Sequence, residues 1–173
     1  VIMFIGGYED RDVTVYSSLA AYADKAYYAT NGGLLVCLNV NTMQPVWALD
    51  VAADTDAAIA MEVQDGKPVL YHATKGDDQG FAHVRCIDAE TGEIIWDQSL
   101  TGSISASPLV GTGNLKGRAY TPANGADGER VLYALDTANG ASLWQQPITC
   151  IELASPAALA DESGKGGTAQ GAT

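Results

Sequence analysis

The amino-acid sequence predicts an all-β fold of the β-propeller type, built from four-stranded antiparallel blades. Three observations support this prediction. One segment occurs three times, its copies are spaced at a nearly constant interval, and the stretches between them resemble short strands separated by turns. A period of roughly 40–50 residues is typical of four-stranded propeller blades. We therefore expect residues 1–173 to form a single, partial propeller.

The repeated segment ends in tryptophan in every copy. The copies occupy residues 36–47, 85–96 and 133–144. Their tryptophans are 96 − 47 = 49 and 144 − 96 = 48 residues apart, and all three tryptophans of the chain fall on this period. The Ser-Pro pairs at 107–108 and 155–156 are also 48 residues apart. Two independent markers with one spacing indicate a true repeat.

Each copy is interpreted as a strand, a tight turn and the start of a second strand. In the third copy a β-type run ends at Asp136, and an Asp or Asn at the start of such a turn can accept backbone N–H bonds. Gly92 and Gly140 stand where a hairpin usually requires positive φ. Met43 holds that position in the first copy, at a strain of about 1 kcal/mol. Either that turn has another shape, or packing offsets the strain.

The blade assignment follows from the period. We place blades at residues 13–51, 57–100 and 104–148, with the start of a fourth blade at 151–173. The first strands of blades one and three are predicted at 13–22 and 104–110. The Gly-, Ala-, Ser- and Thr-rich stretch 161–173 is interpreted as a flexible linker or, as we favour, a truncated hairpin of the fourth blade. The sequence does not begin with Met, so we expect a longer parent protein.

Composition and charge narrow the possible partners. The chain is 47% hydrophobic and 17% charged, which is typical of a folded protein. Its formal net charge of −12 disfavours nucleic acid and anionic membrane surfaces. We interpret the acidity as a solvated surface. No apolar run approaches the length of about 20 residues that a transmembrane helix needs.

The cysteines do not indicate a disulfide framework or a zinc site. Cys37 and Cys86 occupy the same repeat position, where the third copy has Ala134, so we expect a small buried site with free thiols. Cys150 follows the third copy and is also expected to be free. No Cys-x-x-Cys pair occurs in the sequence.

No candidate catalytic, cofactor-binding or metal-ligating residue emerges from the sequence. His72 and His83 have no visible orienting partner, and no Ser-His-Asp order suggests hydrolysis. The glycine-containing stretches 111–117 and 164–167 lack the spacing of a phosphate-binding loop and a following helix. We interpret the first of them as a β-turn region.

Three acidic segments could offer oxygen ligands to calcium: 9–12, 54–56 and 77–78. None of them has the spacing of an EF-hand loop. We therefore favour solvated loop charge as their interpretation.

The three copies resemble the tryptophan-docking repeat of PQQ-like propellers, roughly A-x-D-x-x-T-G-x-x-x-W. The resemblance covers about residues 13–160. The matching residues are, copy by copy, Asn39, Thr42 and Trp47, then Asp88, Thr91, Gly92 and Trp96, then Ala134, Asp136, Gly140 and Trp144. Met43 and Asn139 depart from the pattern. The resemblance implies that each tryptophan packs against the turn of the adjacent repeat and is structural.

PQQ-like propellers include both binding scaffolds and quinoprotein dehydrogenases. Our preferred hypothesis is a non-catalytic binding or scaffold module of a larger secreted or cell-surface protein, extracellular or periplasmic and bacterial. The alternative is a fragment of a PQQ-dependent dehydrogenase, with PQQ and calcium, whose catalytic residues lie outside this chain. The best-known dehydrogenases carry adjacent cysteines, which this sequence lacks. We expect a protein partner or the rest of the propeller, and self-association through open blade faces.

Overall fold

A computed structural model describes residues 12–125 and 127–149. These residues form three four-stranded antiparallel sheets, and one turn of 3-10 helix at Gly113–Leu115 precedes β10. The strands are β1 (Ala20–Tyr22), β2 (Lys25–Ala29), β3 (Leu34–Asn39), β4 (Gln44–Asp50), β5 (Ala60–Gln64), β6 (Lys67–Ala73), β7 (Phe81–Asp88), β8 (Ile94–Thr101), β9 (Leu109–Val110), β10 (Arg118–Asn124), β11 (Arg130–Asp136) and β12 (Ser142–Pro147).

Each sheet is one blade, and its strands are hydrogen-bonded in the order in which they follow one another along the chain. Blade one contains β1 to β4, blade two β5 to β8 and blade three β9 to β12. Short hairpins suffice for this topology because neighbouring strands are antiparallel. The predicted all-β fold, an incomplete propeller of four-stranded antiparallel blades, is confirmed. The predicted start of a fourth blade, including the second Ser-Pro marker, lies outside the described residues.

The first strands of blades one and three are shorter than predicted. β1 begins at Ala20, because the preceding segment bonds elsewhere: the Asn31 amide donates to the Thr14 carbonyl and the Gly32 amide to the Asp12 carbonyl. β9 is only Leu109–Val110. Pro108 has no N–H to offer a ladder. The Ser107 hydroxyl instead accepts a 2.8 Å bond from the Ala58 amide of the neighbouring blade.

The core lies between the blades. One apolar cluster fills the space between blades one and two and includes Tyr27, Leu35 and Leu70, and a second lies between blades two and three and includes Tyr71, Val84 and Leu135. Side chains alternate between the two faces of a strand, so the middle strands of blade two contribute to both clusters.

A β-bulge occurs at the same place in every blade. The register shifts after Cys37, after Cys86 and after Ala134. These three residues are the cross-strand partners of the three repeat tryptophans. A bulge increases local twist and re-aims the side chains next to it, and here those side chains are the tryptophans.

Candidate functional site

The hairpin turn of each repeat is closed by the side chain that starts it. The Asp88 carboxylate accepts bonds of 2.8 Å and 3.0 Å from the amides of Glu90 and Thr91, while the Gly92 amide donates to the Asp88 carbonyl at 2.9 Å. The carboxylate of Asp136 accepts a 2.8 Å bond from Ala138 in the same way. These contacts hold the turn in one conformation.

The first repeat has the same turn despite its methionine. The Asn39 side chain accepts 3.0 Å bonds from the amides of Asn41 and Thr42, and the Met43 amide donates to the Asn39 carbonyl. Met43 has a φ of 57°, whereas Gly92 has 78°. Of the two alternatives that the sequence left open, the different turn shape is wrong. Met43 adopts the left-handed conformation that glycine favours.

Two tryptophans dock on the turn of the following blade. The indole Nε1 of Trp47 donates a 3.1 Å bond to the Ala89 carbonyl, and Nε1 of Trp96 donates a 2.9 Å bond to the Thr137 carbonyl. The acceptor is in each case the residue after the Asp that starts the turn. A buried indole N–H needs such an acceptor, so these bonds join neighbouring blades.

The turn glycine is needed for a second reason, which the sequence reasoning missed. A Cβ built on Gly92 would lie 2.8 Å from Cδ2 of Trp47, and one on Gly140 would lie 2.6 Å from Cε3 of Trp96. Both distances are shorter than real Cβ contacts, so any side chain would push the indole away. Glycine therefore permits both the backbone conformation and the close approach of the tryptophan.

A tyrosine on the second strand of each blade supports the tryptophan of that blade. The ring centroids are 6.1 Å apart for Tyr27 and Trp47, and 5.9 Å for Tyr71 and Trp96. The pair of blade three, Tyr120 and Trp144, also lies 5.9 Å apart, at the same interplanar angle of 50° as the pair of blade two. Tilted aromatic pairs at this spacing are favourable. Their spacing of 71 − 27 = 44 and 120 − 71 = 49 residues is a sequence signal that went unused.

The docking pattern stops at both ends of the described repeats. Trp96 is 8% exposed, whereas Trp144 is 41% exposed, and its Nε1 has no hydrogen bond among the described residues. Met43, at the other end, is 48% exposed. The resemblance implies that all three tryptophans are structural. Trp144 differs because no following turn covers it within residues 12–125 and 127–149.

A polar cluster lies at the junction between blades one and two. His72 is fully buried and follows Leu70 by two residues, so it points toward blade one. Both of its ring nitrogens, and the Nη1 atom of Arg85 opposite it, lack hydrogen-bond partners in the described part of the chain. Burial and, as a smaller contribution, the nearby Arg85 charge lower the pKa of His72 to about 3. The imidazole is therefore neutral at neutral pH.

His83, in contrast, does have an orienting partner, and the sequence-based statement that none was visible is wrong for this residue. Its Nδ1 lies 2.7 Å from one Asp97 carboxylate oxygen, while Nε of Arg85 donates a 2.8 Å bond to the other. Alternate positions on adjacent strands bring these side chains onto one face. Asp97 and His83 belong to strands that the sequence placed correctly, but the cross-strand register, in which Asp97 lies opposite Arg85 and diagonal to His83, was not predicted.

Two cysteines are free, as predicted. Cys37 and Cys86 are both buried. Burial raises the pKa of the Cys37 thiol to about 11 and that of the Cys86 thiol to about 12. Both thiols are thus protonated and unreactive at neutral pH. Cys150 lies outside the described residues.

The described acidic side chains form local hydrogen bonds and an ion pair. The Asp77 carboxylate accepts 2.9 Å bonds from the amides of Gln79 and Phe81, and these bonds hold its pKa below the usual value. Asp56 pairs with Lys75 at 2.9 Å. Residues 9–11 and 164–167 lie outside the described part. Within residues 12–125 and 127–149, no group of three or more His, Cys, Asp or Glu side chains is positioned to hold a metal ion.

Two remaining features of the described residues bear on function. No helix among them is long and apolar enough to cross a membrane. A shallow pocket at the edge of blade three is lined by Gly128, Glu129, Arg130, Pro147, Ile148 and Thr149. At the two described junctions, an indole N–H binds and orients the turn of the neighbouring blade. This hydrogen bond is the interaction that the repeat provides.

Comparison with known proteins places these features in a family. The model of the family described as outer membrane protein assembly factor BamB matches residues 67–165. Quinoprotein ethanol dehydrogenase from Pseudomonas aeruginosa is 31% identical, in an alignment that covers 58% of this chain and 18% of the dehydrogenase. The chain thus spans less than a fifth of that curated relative.

Solved structures share the fold. BamB from Moraxella catarrhalis superposes with a TM-score of 0.65 at 20% identity, covering 87% of this chain and 41% of BamB. Quinohemoprotein alcohol dehydrogenase from Comamonas testosteroni gives 0.58 at 17% identity, covering 80% of this chain and 22% of the enzyme. At these identities the likeness shows the propeller fold alone.

Proposed function

This chain belongs to the PQQ-like β-propeller family whose model is described as outer membrane protein assembly factor BamB, and we propose that it is a non-catalytic binding or scaffold segment of a longer protein. In this role the blades form a rigid frame, and the loops and blade edges offer surfaces to a protein partner. We further propose that the parent protein is bacterial and works in the periplasm, on the cell surface or outside the cell.

The observation that supports this proposal best is that the motif residues of the repeat contact one another across the junctions between blades. The indoles of Trp47 and Trp96 are bonded to backbone carbonyls of the next blade. The glycines that face them, Gly92 and Gly140, are in contact with those indoles. The repeat is thus built to join blades, and a frame of joined blades holds its exposed loops in fixed positions.

The family match supports a protein partner over a small substrate. The matched model is described as an assembly factor and covers residues 67–165, which include most of blades two and three. By analogy, we propose that the partner belongs to an assembly of proteins. The loop at 76–80 and the exposed residues Glu90 and Thr91, which lie at opposite ends of the blade-two strands, are the first places to look for it.

One observation favours a second candidate, a segment of a quinoprotein dehydrogenase. The relative that is 31% identical is quinoprotein ethanol dehydrogenase. In this candidate PQQ and calcium would bind to parts of the parent protein beyond this chain, which covers 18% of that enzyme. The parent protein distinguishes the two candidates.

The deciding experiment uses the parent protein that contains this segment. It is purified, supplied with PQQ and calcium, and assayed for alcohol-dependent reduction of an electron-accepting dye. We expect no reduction above that of a heat-denatured sample. PQQ-dependent reduction would overturn the scaffold proposal and establish the dehydrogenase.

A second measurement tests partner binding directly. A photocrosslinking residue replaces Gln79 in one variant and Glu90 in another, because both positions are exposed and lie at opposite ends of the blade-two strands. In the native cell extract we expect one discrete adduct from at least one position, which an excess of unlabelled parent protein removes. Adducts that the unlabelled protein does not compete away would contradict a specific binding role.

A further inference from the structure

Among the described residues there are three repeat tryptophans and two turns on which a tryptophan docks. The turns that end at Gly92 and Gly140 are occupied by Trp47 and Trp96. Trp144 remains with its indole exposed. Among the described residues, the turn that no tryptophan covers is the one in the first repeat, which ends at Met43.

Trp144 is positioned like the tryptophans that do dock. It packs on Tyr120 with the centroid distance and angle that Trp96 shows on Tyr71. It faces Ala134 across the bulge, as Trp96 faces Cys86. The indole is therefore preorganised for a partner, and preorganisation lowers the entropic penalty of binding.

The first-repeat turn has the shape of an acceptor. Its backbone bonds and its positive φ at Met43 match those of the occupied turns. Its Val40, the counterpart of Ala89 and Thr137, is 43% exposed. Leu34 and Val36, on the face of blade one away from blade two, are fully buried, whereas Met43 in the turn is 48% exposed.

The side chain of Met43 is incompatible with a docked indole. At the two occupied turns even a single Cβ would approach the indole to 2.8 Å or 2.6 Å. Met43 carries that Cβ and three further side-chain heavy atoms at the same turn position. A steric clash of this kind is a device that excludes a wrong partner.

We propose that Met43 closes the first-repeat turn to tryptophan, so that Trp144 does not dock on the first repeat of a second copy of this chain. The turn that Trp144 packs against is, as the resemblance implies, that of an adjacent repeat, with the carbonyl and the glycine that Trp47 and Trp96 meet in theirs. This inference stands on the repeat geometry and holds whether the parent protein is a scaffold or an enzyme.

The test converts the closed turn into an open one. The acceptor variant carries Met43→Gly, to open the turn, and Trp144→Ala, so that it cannot donate. The donor is the unchanged chain, labelled with a fluorophore. Because the donor retains Met43, and the acceptor lacks the tryptophan, only one docking contact between them is possible.

Sedimentation velocity of the mixture measures association. We expect the acceptor variant to bind the donor at least about tenfold more tightly than a matched variant with Met43→Ala and Trp144→Ala, because alanine retains the clashing Cβ. Donor carrying Trp144→Ala should lose this gain. An acceptor with Ala23→Gly and Trp144→Ala controls for glycine at another positive-φ position and should behave like the alanine variant.

Two results would overturn the proposal. One is equal binding by the glycine and alanine variants, which would mean that Met43 is not the barrier. The other is association of the unchanged chain with itself that Trp144→Ala abolishes, since the first-repeat turn would then accept tryptophan. Neither result bears on dye reduction by the parent protein, so this inference and the proposed function fail separately.

Discussion

At the junction between blades two and three, Trp96 is 8% exposed and its Nε1 donates a 2.9 Å bond to Thr137. At the junction between blades one and two, Trp47 is only partly buried and donates a 3.1 Å bond to Ala89. The two junctions have the same topology, the same turn and the same glycine. The difference in indole burial therefore comes from the residues that vary between the repeats.

The two junctions differ in the residues that face the neighbouring blade. Blade two presents His72 and Arg85 toward blade one, whereas blade three presents Thr121 and Tyr133 at the corresponding positions toward blade two. His72 and Arg85 contain three buried nitrogens without partners in the described chain, and Thr121 contains one such oxygen. Unpaired buried polar groups oppose folding. The junction of blades one and two should be the weaker one.

Truncation of the two docked tryptophans compares the junctions directly and has the largest expected effect. Trp96→Ala should lower the free energy of unfolding by about 3–4 kcal/mol, since a buried indole and its hydrogen bond are lost. Trp47→Ala should lower it by about 2 kcal/mol, because this indole is less buried. Urea denaturation followed by circular dichroism gives both values. A larger loss for Trp47→Ala would reverse the ranking of the junctions.

Acid should weaken the junction that contains His72. The pKa of His72 is lowered to about 3 in the folded chain, against about 6.5 in an unfolded chain. The unfolded state therefore binds more protons as the pH falls below 6.5, and folding stability is lost. At pH 5 the loss is about 2 kcal/mol, from about 1.4 kcal/mol per unit of pH.

A matched variant isolates this contribution from that of the carboxylates. His72→Leu replaces the imidazole with an apolar side chain of similar size that cannot be protonated. The unchanged chain should lose about 2 kcal/mol more than this variant between pH 7.5 and pH 5, as measured by urea denaturation at each pH. Equal losses in the two proteins would show that His72 is not buried in the neutral form.

The repeated features of the fold could be predicted from the sequence because each one recurs at a fixed spacing. The turn that starts at Asp88, the tryptophan at 96 and the small residue at 86 are set by local bonding and by contact with one neighbouring turn. Each of these constraints involves a segment of a dozen residues or the equivalent turn one repeat further along the chain. They appear in the sequence as a motif, and the all-β fold followed from them.

The features that the sequence did not predict depend on register between strands or on neighbouring blades. His83 and Asp97 are brought together only because they lie on adjacent strands whose register is fixed by the bulge after Cys86. The shortened β9 depends on a side-chain bond between Ser107 and Ala58, 49 residues apart. A single sequence carries no periodic signal for contacts that occur once.

Relief of backbone strain at Met43, in the turn of the first repeat, has a smaller expected effect. It extends the comparison to the turn on which no described tryptophan docks. Met43→Gly should raise the free energy of unfolding by about 1 kcal/mol, because a non-glycine residue with a φ of 57° is strained. Ala23→Gly, at a φ of 54° in the first hairpin of the same blade, is the control and should give a similar gain. A loss of stability on Met43→Gly would mean that the methionine side chain contributes packing that outweighs the strain.

The smallest effect is expected at Trp144, which no turn covers within the part of the chain that the structure describes. Trp144→Ala should change the free energy of unfolding of this chain by less than about 1 kcal/mol. The indole is 41% exposed and packs against Tyr120 of the same blade. The same substitution in a parent protein that supplies a covering turn should cost about as much as Trp96→Ala. The ratio of the two losses, measured by urea denaturation in both proteins, reports whether Trp144 is docked. An equally small loss in the parent would contradict the docking of a further repeat on blade three.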